Sequence, residues 1–144
     1  MPTPFRDFSY WKALLADSSA IALSALSKSL QPFVQTQHPA IAGVCAREGL
    51  EESLDAIRPQ LASPLGGIPV LVKDLFDLAG WQTGAGSRLL PRTLPAAEAD
   101  AAAVVDLRAA GMLVAGKTGM NEFAYGLSGA NAHFGDCPHP LFPT

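Results

Sequence analysis

Lys73 is the first residue placed to do chemistry. It closes the apolar run Ile68-Pro69-Val70-Leu71-Val72 and is followed by Asp74 and a glycine-rich segment through Gly80, Gly84 and Gly86. Lysine is almost never fully buried without a partner. At the end of a buried strand it is either a cation emerging into solvent, paired with Asp74 or Asp77, or a side chain set for proton transfer, and spacing alone favours the first. A second candidate is Gly111-Met112-Leu113-Val114-Ala115-Gly116-Lys117-Thr118, which matches the phosphate-loop pattern G-x-x-x-x-G-K-[ST] letter for letter. A third is the trio His133, Cys137 and His139, which could be drawn as a metal site.

The second and third candidates weaken on inspection. A phosphate loop needs a strand before its first glycine and a helix after its Lys-Thr pair, so that free N–H groups converge on phosphate. Here a helical pattern precedes Gly111 and the intervening residues read as the strand itself, whose N–H groups belong to a ladder. Nucleotide binding is therefore not expected, and Lys117 is assigned no proton transfer. The His133, Cys137 and His139 spacing fits no standard zinc pattern, and Pro138 and Pro140 stiffen the segment, so a solvated loop is the better reading. Cys137 as nucleophile with Lys73 and Glu122 would resemble the Glu-Lys-Cys chemistry of nitrilases, but no local signature supports it.

The elements that must position these residues follow from periodicity. Trp11, Leu14, Leu15, Ala22, Leu23, Leu26 and Leu30 recur at helical spacing and predict one helix over 9–31, ended by Pro32. Ala40 to Cys45 is a short strand candidate. Gly49 to about Ile57 predicts a helix with Leu50, Leu54 and Ile57 on one face. Pro64, Gly66 and Gly67 mark a turn. Ile68 to Val72 is continuous and β-branched, as in a strand buried on both faces, with Pro69 near its start where a missing N–H matters least. Glu98 to Ala110 predicts a helix with acids in its first turn, Arg108 in its last and Gly111 as its stop. Met112 to Ala115 predicts a strand, and Asn121 to Gly126 a short helix or turn. Strand, helix, strand over 68–115 implies a βαβ-like unit and an α/β fold.

Composition excludes several classes. At 144 residues the chain can hold one domain with a real core, and 49% hydrophobic against 16% charged residues is a globular composition. A net charge of −3, with Lys and Arg scattered, creates no field for nucleic acid or an anionic membrane. The first residues lack the apolar core of a signal peptide, and no run approaches a membrane span, so the expected location is cytoplasmic. Cys45 and Cys137 imply no disulfide framework. The segment His139 to Thr144 is loop-like, with no closing element, which suggests a piece of a longer protein.

Several linked segments in order resemble the amidase signature family. Pro64-Leu65-Gly66-Gly67-Ile68-Pro69-Val70-Leu71-Val72-Lys73-Asp74 is similar to the stretch around that family's catalytic lysine. The likeness continues through Ala79-Gly80, Thr83, Gly86-Ser87, Asp100-Ala101 and Leu107-Arg108-Ala109-Ala110-Gly111, then Gly116-Lys117-Thr118-Gly119-Met120-Asn121-Glu122-Phe123-Ala124. It covers roughly residues 40–140. Departures at Gly119, where Asn is frequent, and at Cys137-Pro138-His139-Pro140, where an Asn-Pro pair is common, blur the subfamily.

The resemblance implies an α/β fold in which this chain is the N-terminal portion of a large mixed sheet covered by helices on both faces. Residues 1–144 are then the first part of a single domain, with a helical lead-in over about 1–35 and an α/β part over about 36–144. The implied activity is hydrolysis of an amide C–N bond through a Ser–cis-Ser–Lys triad, with Lys73 as the catalytic lysine. Such a lysine accepts a proton only when neutral, and the end of a buried strand is a place where desolvation disfavours an ammonium. Tyr125, Gly126 and Leu127 are the implied substrate-binding residues, packing roles being at least as compatible with Tyr125 and Leu127. No cofactor and no metal are implied. The cis-serine and the nucleophilic serine would lie in a Gly-Gly-Ser-Ser-rich stretch beyond Thr144 and further on, so this chain alone is expected to be inactive. The implied substrate is a small-molecule amide, without direct nucleic-acid or membrane contact. The implied assembly is a homodimer or association with the C-terminal part. Two alternatives stay open: the amidase subunit of a glutamine-dependent aminoacyl-tRNA amidotransferase, and a truncated fragment or assembly partner without catalysis of its own.

Overall fold

A computed structural model describes residues 7–17, 19–35, 41–44 and 47–136. The apolar run after the 61–67 turn forms β2 (Pro69–Lys73), and the run after Gly111 forms β3 (Leu113–Thr118). These strands are parallel neighbours. β1 (Ile41–Val44) pairs antiparallel with β3 on its other side, so the described sheet has the order β1-β3-β2. β3 is central, and all of it is buried except Thr118, as its unbroken apolar character requires.

Alternation along β3 divides the core between two faces. Leu113 and Ala115 join Leu26, Leu50, Leu54 and Ile57 under α2 (Ser19–Gln35) and α3 (Arg47–Ala56). Val114 joins Val72, Leu78 and Val104 under α5 (Ala102–Ala109). Burying each such Leu or Val contributes about 1.5–3 kcal/mol, and the two clusters clamp the sheet from both sides. The expected layout is found: neighbouring parallel strands in one sheet, the helix between them packed on its face, and α3 presenting Leu50, Leu54 and Ile57 inward.

Two boundaries differ from expectation. The helix expected over Glu98–Ala110 begins only at Ala102, because Ala101 is extended (φ −61°, ψ 151°) and its carbonyl accepts from the N–H groups of Val104 and Val105. The acids expected in its first turn lie outside it: Asp100 Oδ1 accepts from the Ala79 N–H and Oδ2 from Arg108 Nε, each at 2.8 Å. Its end is as expected. Gly111 takes φ 86°, its N–H bonds the Arg108 carbonyl, and the Met112 N–H bonds the Leu107 carbonyl. That left-handed double closure suits glycine.

The helix expected over 9–31 is described as α1 (Phe8–Asp17) and α2, on either side of residue 18, and α2 runs through Pro32 to Gln35. A proline removes one N–H from the helix ladder and need not end a helix whose neighbouring bonds persist. Lys12 ties α1 to the 61–67 turn by donating to the carbonyls of Leu61, Ser63 and Gly66. One short helix, α4 (Leu90–Thr93), was not anticipated. No described helix is long and apolar enough to cross a membrane.

Candidate active site at the carboxyl ends of β2 and β3

The site begins with a slip in strand register. Val70 pairs with Val114, but Leu71 pairs with Gly116, so Ala115 is an extra residue on β3. Strict alternation from Val114 would send the Lys117 side chain to the α2–α3 face. The extra residue sets Lys117 beside Val72 instead, and so onto the α5 face that Val72 and Asp74 share. A bulge of this kind re-aims one side chain at the end of a strand.

The re-aimed side chain is buried, with Lys117 1% exposed and Asp74 7%. Lys117 Nζ lies 3.0 Å from Asp74 Oδ1 and also donates to Thr83 Oγ1 (3.0 Å) and the Gln82 carbonyl (3.2 Å). These three acceptors match the three donors of an ammonium. Thr83 in turn donates to Asp77 Oδ1 at 2.6 Å. The Asp74 backbone is fixed as well: its N–H bonds the Thr118 carbonyl, its carbonyl accepts from Ala85, and its carboxylate accepts from the Gly84 N–H. Asp74 is thereby locked to β3 and to the 82–86 loop together.

That loop is strained. Ala85 sits at φ 47°, and its carbonyl accepts from the N–H of Phe123, which has φ 52° and precedes Ala124 at φ 57°. These are the positive-φ non-glycine residues among the described ones. Each left-handed non-glycine residue costs about 1–3 kcal/mol and persists only where its surroundings over-determine it. Here the determinants are the Asp74–Lys117 cluster on one side and Asn131 on the other. Buried Asn131 donates to the carbonyls of Gly86 and Met120, both at 2.8 Å, and accepts from the N–H groups of His133 and Phe134.

Lys73 contrasts with its neighbour. It ends β2 opposite Thr118, on the face away from the Asp74 carboxylate, and its side chain is exposed. Its ammonium has no hydrogen-bond or ion-pair partner among the described residues. Lys73 emerges into solvent, as its spacing favours, but it pairs with neither Asp74 nor Asp77, because Lys117 takes the first and Thr83 the second.

The other expected residues divide. Tyr125 borders an open pocket of about 530 Å³ shared with Asn121, Glu122, Phe123 and Asn131, and is itself 96% exposed. Gly126 and Leu127 are not among its walls, and Leu127 is fully exposed. The turn expected over Asn121–Gly126 is a 3-10 turn at Glu122–Ala124. Glu122 lies 3.3 Å from His133 Nε2, which draws His133 toward this turn. Cys137 and His139 lie outside the described residues, and no metal-binding cluster occurs among the described ones. The phosphate-loop letters fall on a helix stop and a strand, and after Thr118 comes the 3-10 turn rather than a helix. The Asp74–Lys117 pair and Asn131 escaped the sequence reading. One signal was available for the first: a lysine continuing an apolar central strand requires a buried partner.

A family model, Amidase, matches residues 34–144. The chain belongs to the amidase signature family. It is 47% identical over 83 residues to AtzE, which forms part of the 1-carboxybiuret hydrolase of Pseudomonas sp. (strain ADP), covering 58% of this chain and 18% of that protein. It is also 47% identical over 79 residues to one of the subunits of the glutamyl-tRNA(Gln) amidotransferase of Ralstonia nicotianae, covering 55% of this chain and 16% of that one. This chain therefore spans only a small part of the length of either relative. The allophanate hydrolase of Kluyveromyces lactis superposes with a TM-score of 0.75 at 29% identity over 92% of this chain and 22% of its own. A peptide amidase solved with the inhibitor chymostatin gives 0.73 at 28% identity, over 97% and 31%. The resemblance read from the linked segments over 40–140 is borne out, as is the α/β fold.

Proposed function

We propose that the complete protein hydrolyses a small-molecule amide at its C–N bond, with Lys73 as the proton-accepting member of a Ser–cis-Ser–Lys triad. The observation that carries this is how the described lysines are used. Lys12 and Lys117 each donate to three scaffold acceptors and Lys28 is exposed on α2, whereas Lys73, without a side-chain partner among the described residues, is the one of these four at the carboxyl end of a parallel strand. Ligands of open α/β sheets gather outside that end. Asp74, the residue after Lys73, bonds the strained loop at Ala85, and strain of that kind clusters at functional sites.

The chemistry needs little else from this segment. Lys73 takes the proton of the attacking serine through the bridging serine. The serine adds to the carbonyl carbon, backbone N–H groups hold the oxyanion, the amine departs with the proton that Lys73 took, and water releases the acyl group. Both serines belong to the segment beyond Thr144, whose packing over β2 would supply the burial that Lys73 lacks here. Residues 1–144 are read as the first part of one domain, since Trp11, Leu15 and Leu26 of the helical lead-in pack into the same core as β3. Tyr125 at the open pocket is the best placed of the substrate-binding candidates. The family's chemistry points to no cofactor, and a cytoplasmic location is part of the same proposal.

A second reading rests on the likeness to the glutamyl-tRNA(Gln) amidotransferase: glutamine as ammonia donor, with partner subunits binding the tRNA. Turnover by the complete protein of a panel of simple carboxamides, ureido acids and glutamine separates the two. Hydrolysis of a carboxamide or ureido acid without partner subunits supports the amidase reading. Release of ammonia from glutamine alone supports the second, and no turnover of any member contradicts both.

A further inference from the structure

The buried pair Lys117–Asp74 faces away from the Lys73 side chain, yet it fixes the backbone on which Lys73 stands. Asp74 follows Lys73 directly, and four contacts hold it: the Thr118 carbonyl, the Ala85 N–H, the Gly84 N–H and the Lys117 ammonium. Through Gln82 and Thr83 the same ammonium holds the loop that carries Ala85, and Ala85 receives the Phe123 N–H of the open pocket. One side chain, brought to this face by the register slip at Ala115, thus links the β2 end, the strained loop and the pocket rim.

We infer that Lys117 is a positioning residue for the reaction: with Asp74 it sets the direction of Lys73 and the place of the 82–86 loop, without touching substrate or moving a proton. The inference rests on the triad reading of Lys73. Its physical basis is the steep dependence of proton transfer on geometry. Among the described residues nothing holds the Lys73 ammonium, so what fixes the backbone beneath it comes from the opposite face of the sheet. A misplacement of about 1 Å at a reacting group can lower a rate by roughly a hundredfold.

The test uses three variants of the complete protein. Lys117→Met keeps the alkyl stem and removes the ammonium. Asp74→Asn keeps an acceptor for the Gly84 N–H and removes the charge. The third variant combines them and leaves neither charge unpaired. Steady-state kinetics are measured where each variant is folded by its melting curve. The expected result is a fall in kcat of about 10- to 100-fold in each single variant with KM changed by less than about threefold, the signature of an interaction that acts in the transition state. The combined variant should lose no more than the worse single one, because both act through one link.

A normal kcat in the folded single variants, with only a lowered Tm, would make the pair a scaffold element and overturn the inference. So would losses that multiply in the combined variant. If Lys117→Met does not fold, Asp74→Asn and the combined variant decide in the same way, and failure of all three to fold also assigns the pair to the scaffold. Lys73→Ala, run alongside, keeps the two readings apart. If Lys73→Ala turns over normally, the triad reading fails. If Lys73→Ala is inactive while Lys117→Met has normal kcat, only the present inference fails.

Discussion

Lys117 Nζ and Asp74 Oδ1 meet at 3.0 Å across the carboxyl ends of two parallel strands, and both residues are buried. The contact divides the labour of two lysines that look alike in sequence. Lys117, inside a phosphate-loop pattern, belongs to the scaffold, and Lys73, one residue before Asp74, is left free on the other face.

Removing one partner of this pair should destabilise the chain far more than removing Lys73. A buried ion pair that loses one member leaves an uncompensated charge, at a cost of about 3–5 kcal/mol. Urea melts of Lys117→Ala and Asp74→Ala are expected to show losses of this order, and the combined variant should lose clearly less than their sum. Additive losses would mean that the two side chains do not interact in solution.

Gly86→Ala is expected to destabilise by about 1–3 kcal/mol, through overpacking and a backbone conformation that alanine resists. The residue has φ 69°, and a Cβ there would lie 2.6 Å from the Met120 carbonyl and 2.8 Å from Asn131 Nδ2. Because the loop hangs from Ala85 to Phe123, the same change should alter the KM of the complete protein for its amide. An unchanged melt would show that the 85–87 turn differs from the one described.

Magnesium–ATP should leave the melting temperature unchanged. The N–H groups of 113–118 belong to β3, and the Lys117 ammonium already has three acceptors. A saturable, Lys117-dependent rise in Tm would contradict the strand assignment.

Much of this fold was legible because it is written in short-range signals. Ile68 to Val72 and Met112 to Ala115 are apolar runs that each follow a glycine, and Gly111 stops a helix for a reason that needs no tertiary information. What stayed hidden depends on register. Alternation cannot show that Ala115 is an extra residue, because that is a property of two strands together, and without it Lys117 falls on the wrong face. The late start of α5 has the same character. Asp100 looks like a first-turn acid, but it bonds the Ala79 N–H and Arg108, partners distant in sequence or on the helix's far turn. Lys73 stands out in sequence by closing an apolar run, but its catalytic role rests on the likeness to a family segment, since an exposed lysine at a strand end carries no local mark of that role.

The most direct measurement is the turnover of Lys73→Ala in the complete protein, beside the parent, with stability checked by urea melts. The described fold draws no side-chain hydrogen bond or ion pair from Lys73, so the variant should fold like the parent, and the urea melts check this. General-base catalysis contributes on the order of a hundred- to ten-thousand-fold, and amide hydrolysis should fall by at least that much. Near-normal turnover in a correctly folded Lys73→Ala variant would contradict the account, and would leave Lys73 as a solvent-facing lysine at the end of a strand.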